Sequence, residues 1–289
     1  MRTKLLSWIL LCGLAAIFTV TASAQQGRVA GHIIAAKVRG TVTALNKADH
    51  TVKALHDNDA LSEGYVVTTA ARSSVILIFA NGAAVNLSED TTLSIDEFLM
   101  DPFDAKFSVA DAKEEPSTSV TKLSLARGEL VGNVKHLHKD NGSSFTVSTP
   151  VGAAGIRGTT FRIVFRPDGT GKVFFTLSTA EGDILFSGTT NQDVGVGSGQ
   201  EVVVTVEVNV AADGTVTLTS TPVIQDVQNI SAGAQAAIAA AVQEIISNNA
   251  AVFQSAVSGN MGSDTDKTGE GNGPEPITPV TDTTPGDGK

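Results

Sequence analysis

Between Lys37 and about Pro222 the apolar residues recur with a period of two. In the run Glu201 to Val210, Val204, Val206, Val208 and Val210 fall on one face, and Thr205, Glu207 and Asn209 on the other. Such alternation predicts half-buried strands. Val216 and Leu218 repeat the pattern after Asp213-Gly214, a dipeptide that predicts a hairpin. Phe161, Ile163 and Phe165 alternate with Thr160 and Arg162, and Pro167-Asp168-Gly169 turns the chain into Val173 to Leu177. Ser74 to Phe79 is apolar on both faces, with Val75, Leu77 and Phe79 set against Ile76 and Ile78. That pattern predicts a strand covered on both sides. Asn81-Gly82 then leads into Val85 and Leu87. Short strands separated by frequent turns predict an all-β domain over residues 28–222, a β-sandwich or a short β-solenoid-like stack. The polar stretch 101–119, with Lys113-Glu114-Glu115-Pro116, is expected to be a surface loop inserted between two β halves.

The pattern changes after Pro222, and residues 223–258 are expected to form one C-terminal helix. Ser231 to Val257 is rich in Ala, Gln and Ile, which suit a helix. Ile238, Val242, Ile245, Val252, Phe253 and Val257 fall near one face, making it amphipathic, and Ser231 is placed to cap its start. A helix of this length needs tertiary contacts, so it is expected to dock on the β domain or on a second copy of itself. From Gly259 to Lys289 the chain is poor in apolar residues and rich in Gly, Pro, Thr and Asp. Such a segment cannot offset its ordering entropy, and a disordered acidic tail is expected.

At the other end, Arg2 and Lys4 precede the mostly apolar run Leu5 to Val20, and Ala22-Ser23-Ala24 follows it. Basic start, short apolar run and small residues in that order form a secretory signal peptide over residues 1–24, with cleavage after Ala24. The run is shorter than the roughly 20 residues of a spanning helix, so an uncleaved anchor is the weaker reading. Cys12 follows Leu10 and Leu11, which does not suit a lipid-modified cysteine.

Composition agrees with export to the periplasm or cell exterior. The single Cys and single Trp both lie within residues 1–24, so the exported chain contains no thiol, disulfide or cysteine metal site. Its formal charge is −10, and loss of Arg2 and Lys4 takes it to −12. An acidic surface repels phosphate backbones and excludes nucleic acid as the expected partner. No second apolar run is long enough to span a membrane once the leader is removed.

Candidate chemistry is sparse. His136 and His138 are two apart and would share a face if on a strand, but Lys135, Lys139 and Asp140 mark a solvated loop, and no metal site is expected. Asp264, Asp266, Thr268, Glu270, Asn272 and Glu275, with Gly269 sixth, imitate a calcium loop. Pro274 and Pro276 forbid the exiting helix, and Gly271 stands where an apolar residue belongs, so weak, non-specific calcium attraction is expected. Gly195 to Gly199 is read as a flexible loop feeding a strand, since no helix follows to make a dinucleotide fingerprint. No Gly-x-Ser-x-Gly elbow occurs, and Glu114-Glu115 lies in the polar insert, where carboxylates are usually solvated. The chain is therefore expected to be no enzyme and to carry no cofactor.

The most specific stretch is Thr149 to Ile163, TPVGAAGIRGTTFRI. Gly152, Gly155 and Gly158 sit three apart with no Lys-Ser or Lys-Thr after them, which excludes a phosphate loop and predicts a tight chain reversal between strands. Arg157 has a planar donor fork suited to carboxylates. Two roles are open to it, a clamp on an internal carbonyl or acid, which is preferred, and a contact with a partner through Arg157, Gly158 and Thr159.

The run Thr-Pro-x-Gly-x-x-x-hydrophobic-Arg-Gly-Thr-x-Phe resembles the C-terminal hallmark of FecR-type domains. Leu61 to Ile95 is similar to the preceding half of that family's domain, and Leu123 to Leu130, LSLARGEL, to the strand-plus-Gly element that links the halves. The resemblance covers residues 38–182. It implies a periplasmic or extracytoplasmic all-β domain whose best-known members relay a signal from an outer-membrane siderophore receptor to a cytoplasmic sigma factor. Those members have a cytoplasmic N-terminal segment and one spanning helix, where this chain has a signal peptide, and a receptor-contacting C-terminal part, where it has an Ala-rich helix and an acidic tail. What the resemblance carries over is the domain, not that pathway. The expected role is a non-enzymatic protein-interaction or envelope-sensing module. The alternatives are a structural envelope or surface-assembly protein that self-associates through its C-terminal helix, and an envelope hydrolase.

Overall fold

A computed structural model of the chain describes residues 27–103, 112–190, 192–211 and 215–261, with side chains of the C-terminal helix described as far as Ser247. The expected signal peptide, the expected acidic tail with its calcium-like loop, and Val252, Phe253 and Val257 of the expected helix stripe lie outside the described residues or side chains.

The expected strands form, and they build two sheets that share one long strand, Ser119–Asn133. One sheet runs from Val52–Ala54 through Val42–Asn46, Tyr65–Thr69 and Thr92–Met100 to the first half of that strand. It continues through Ser144–Thr149, paired in parallel, Gly152–Ile156 and Ile184–Gly188 to Asp193–Val196. The other sheet runs from Ala60–Leu61 through Ile33–Arg39, Ser74–Phe79 and Ala84–Leu87 to the second half of the long strand. It continues through Thr160–Pro167 and Lys172–Glu181 to Gln200–Val210. Val216–Leu218 pairs with Val208 to Val210, as the Asp-Gly hairpin signal predicts.

The two inner faces enclose a core in which Phe79, Phe98, Phe145, Phe161, Phe165, Phe175 and Phe186 are fully buried. Phe79 meets Phe98 edge-on with ring centres 5.1 Å apart, and Phe175 stacks on Phe186 at 5.0 Å, geometries that add to plain area burial. The strand apolar on both faces is explained directly. Val75, Leu77 and Phe79 enter this core, while Ile76 and Ile78 lie on the outer face and join Ala36, Ala84 and Ile245 in a smaller cluster beneath the helix.

That helix, Ala232–Met261, starts where Ser231 Oγ accepts the N–H of Ala234. Ala234, Ile238 and Ile245 are buried, and Glu244 accepts from Arg39 at 2.9 Å and from Asn86 at 3.2 Å. Of the two docking modes expected, the described part of the helix uses the first and spends its apolar face on its own sheet. Residues 223–230 are not helical. Val223–Ile224 and Gln228–Asn229 are short strands on Gln200–Val210, because their backbone N–H and C=O groups find partners on that edge.

The surface-loop expectation for 101–119 fails at its C-terminal end. Residues 104–111 are outside the described part, but Glu115 and Ser119 are buried. Glu115 accepts from the His138 N–H at 2.7 Å and from Ser119 Oγ at 2.5 Å, so its carboxylate is buried because donors satisfy it. Its neighbour Glu114 is exposed, which is why the charged tetrapeptide did not betray the burial of one of its members.

Candidate functional site

Eight of the corners at which the chain leaves one sheet for the other lie in two stacks. The first contains Gly40-Thr41, Ala70 to Ser73, Ser88 to Thr91 and Arg127-Gly128. Its rungs are tied by the Ala70 N–H to Thr41 C=O, the Asp90 N–H to Ala70 C=O, and the Glu129 N–H to Thr91 Oγ1. The second contains Val134 to His136, Arg157 to Thr159, Glu181 to Asp183 and Gly197 to Gly199. Here the Val134 N–H donates to Thr159 C=O at 3.0 Å and Ser198 Oγ to Ala180 C=O at 2.8 Å. Seven of these eight crossovers contain a residue of positive φ, namely Gly40, Arg72, Asp90 and Gly128 in the first stack and Gly158, Gly182 and Gly199 in the second.

Arg157-Gly158-Thr159, singled out from the sequence, is thus a corner of the second stack rather than a simple hairpin. It carries the chain from Gly152–Ile156 in one sheet to Thr160–Pro167 in the other. Gly158 has φ +79°, and a Cβ there would lie 2.7 Å from His136 Nδ1 and 2.9 Å from His136 Cα. Only glycine satisfies both conditions. The Gly182 corner packs on the other side, where a Cβ would lie 2.7 Å from the Gly158 carbonyl oxygen. The turn is held from both sides.

The three residues of the turn separate in role. Arg157 is exposed and, among the described residues, has no hydrogen bond or ion pair, so the preferred internal clamp is not what the structure contains. Thr159 is 2% exposed, and its Oγ1 has no hydrogen-bond partner among the described residues. Of the turn's side chains only that of Arg157 therefore faces solvent.

The histidines do not come together as a pair of ligands. His136 backs Gly158, while His138 stands between Glu114, at 3.6 Å, and Glu115, at 4.0 Å. Among the described residues no group of three or more His, Cys, Asp or Glu side chains is arranged to hold a metal, and no helix is long and apolar enough to cross a membrane. A second buried acid, Glu201, accepts from Ser178 Oγ at 3.0 Å, Gln228 Nε2 at 3.1 Å and Ser231 Oγ at 3.4 Å, which ties the start of the helix to the sheet.

Sequence reading missed one cleft of about 390 Å³ at the first stack, lined by Asp90, Arg127, Gly128, Arg166, Pro167, Gly169 and Val210. Close by, Glu129 accepts from Arg162 Nε at 2.8 Å and lies 3.7 Å from Arg166 Nη2. A signal was present. Arg162 and Arg166 alternate with the core residues Phe161, Ile163 and Phe165, which puts both guanidiniums on the outer face.

Comparison with known proteins adds the following. No curated protein matches the chain. Two crystal structures of a protein from Parabacteroides distasonis ATCC 8503, described as a candidate anti-sigma factor, are similar at 12% identity, with TM-scores of 0.34 and 0.35. In each, the similarity covers 54% of this chain and 59% of that one. Among protein families, the one described as FecR protein matches residues 65–174. The match runs from the strand Tyr65–Thr69 into the strand Lys172–Glu181 and includes both the long shared strand and the Arg157 corner. Over that span the chain is similar to the FecR family.

Proposed function

We propose that this chain is an exported, non-enzymatic FecR-type module that meets a protein partner in the cell envelope through the Arg157 corner. The observation that carries this is the state of Arg157: a charged, exposed guanidinium with no internal partner among the described residues, on a turn fixed by His136 behind it and Gly182 beside it. The fixed turn holds the backbone from which Arg157 projects, its planar fork matches a partner's carboxylate, and arginines are enriched where interfaces gain most of their affinity. The FecR match and the leader-like N-terminus support an extracytoplasmic setting. The two buried acids, Glu115 and Glu201, are engaged as acceptors of structural hydrogen bonds, which fits a scaffold.

Cell fractionation and affinity capture test this together. Exported protein should begin at Gln25 and be recovered from the periplasm or medium. Used as bait on an envelope fraction, it should retain a discrete protein partner. An intact Met1 in the membrane pellet, or recovery of the bait alone, contradicts the proposal; the second result favours self-assembly.

A further inference from the structure

We propose that the cleft beside Arg127 and Arg166 binds a carboxylate presented on an extended, acidic and apolar segment of a protein partner, a proposal that rests on the interaction role above and gives it a second contact. The cleft lies where two corner crossovers, carrying Asp90 and Arg127-Gly128, meet the Pro167 to Gly169 hairpin and Val210 at the end of its strand. Arg127 is half-buried there and, among the described residues, makes no hydrogen bond or ion pair. Arg166 donates from Nη2 to the Glu89 carbonyl at 2.9 Å, while its Nε is buried without a partner among the described residues. Glu129, close by, is taken by Arg162 at 2.8 Å and is 3.7 Å from Arg166. Two guanidiniums in one cleft thus hold donor capacity that the fold does not use. In a chain of formal charge −10 that is a local exception. Carboxylate is the group whose geometry matches such donors.

Two neighbours narrow the ligand. Asp90 lines the same cleft, which disfavours a dianionic phosphate and offers an acceptor for a peptide N–H. The strand register then aligns Arg166 with Phe174, Phe174 with Thr205 and Thr205 with Val223, so these side chains form one row across the outer face of the sheet. Phe174 is 48% exposed and Val223 60%, and Val210 in the cleft is 43% exposed. The helix covers Ile76, Ile78 and Ala84 on the same face and leaves this row open. An acid flanked by apolar residues on an extended strand complements that surface in both charge and polarity.

The test uses the full chain and four probes in ligand-observed NMR and equilibrium dialysis: 3-phenylpropanoate, its amide, N-acetyl-Leu-Asp-Leu-amide and the matching Asn peptide. Both acids should bind and both amides should bind about tenfold more weakly or not at all. Arg127→Gln, which removes no internal bond among the described residues, should cost about tenfold in affinity for the Asp peptide with an unchanged melt, and Phe174→Ser should weaken the peptide more than the small acid. Equal binding of acid and amide, or Asp-peptide binding untouched by Arg127→Gln, overturns the proposal. Binding of 3-phenylpropanoate without the peptide assigns the cleft to a free carboxylate and also overturns it. The two proposals fail separately. An envelope partner captured equally well by Arg127→Gln bait removes this cleft and leaves the Arg157 interface standing. Asp-peptide binding without any captured partner does the reverse.

Discussion

Gly128 and Thr91 touch at the point where the longest strand leaves one sheet and enters the other: a Cβ on Gly128 would lie 2.4 Å from Thr91 Cα, and Gly128 has φ +105°. Thr91 Oγ1 accepts the N–H of Glu129 at 3.0 Å, so two corners of the first stack are joined at that spot. Gly128→Ala should therefore destabilise the domain by about 2 kcal/mol or more, from backbone strain and overlap together. Chemical denaturation checks this, and an unchanged midpoint would show that the corner relaxes freely.

Ile245 is 1% exposed and lies against Ala36, Ile76, Ile78 and Ala84. Ile245→Ala should cost about 2–4 kcal/mol, the range for emptying a buried aliphatic site. Ile246, its neighbour, is 63% exposed, and Ile246→Ala should change the melting temperature little. Equal effects at the two positions would mean that the helix is not docked by this face.

Glu115 provides a buried acceptor for the His138 N–H and Ser119 Oγ. Glu115→Ala leaves both donors unpaired and should cost about 2 kcal/mol or more. Glu114→Ala, exposed beside it, should fall within about 0.5 kcal/mol of the parent.

Asp96 gives a pH dependence. The pairing register jumps from Lys122 with Glu97 to Leu123 with Ile95, which leaves Asp96 as the bulged residue. Partial burial would raise its pKa, but hydrogen bonds from Lys47, Ser124 and Ser94 and the Lys47 charge outweigh it and hold the carboxyl below its ordinary value. A depressed folded-state pKa means stability that is present above the unfolded value, about 3.9, and lost as pH falls through the folded one. Asp96→Asn should be less stable than the parent near neutral pH, and the gap should close below about pH 4. A gap that stays constant in acid would show that Asp96 contributes by shape alone.

Much of the fold was legible because burial is periodic. The alternation of Phe161, Ile163 and Phe165 and the doubly apolar Ser74 to Phe79 each reported a local environment, and each environment is as read. The apolar stripe that includes Ile238 and Ile245 identified the docking face of the described part of the helix. What could not be read depends on contacts distant in sequence. Leu123 to Leu130 looks like one strand, and nothing local says that Gly128 moves it between sheets. Glu115 is buried through Ser119 and His138, which its charged neighbours conceal. Arg157 suggested an internal clamp because its planar donor fork suits an internal carbonyl or acid. Its solvent exposure is set by the stack of corners, and Arg127 and Arg166 meet only because a hairpin and a corner converge.

The most direct test of an interaction module centred on Arg157 pairs two measurements on Arg157→Ala, thermal melting of the purified protein and capture of the envelope partner. With no internal bond to lose among the described residues, the variant should melt within about 2 °C of the parent. It should retain the partner at least about tenfold more weakly, with Arg157→Lys recovering only part of the loss because an ammonium lacks the bidentate fork. Full partner retention by Arg157→Ala at an unchanged melting temperature would contradict the account.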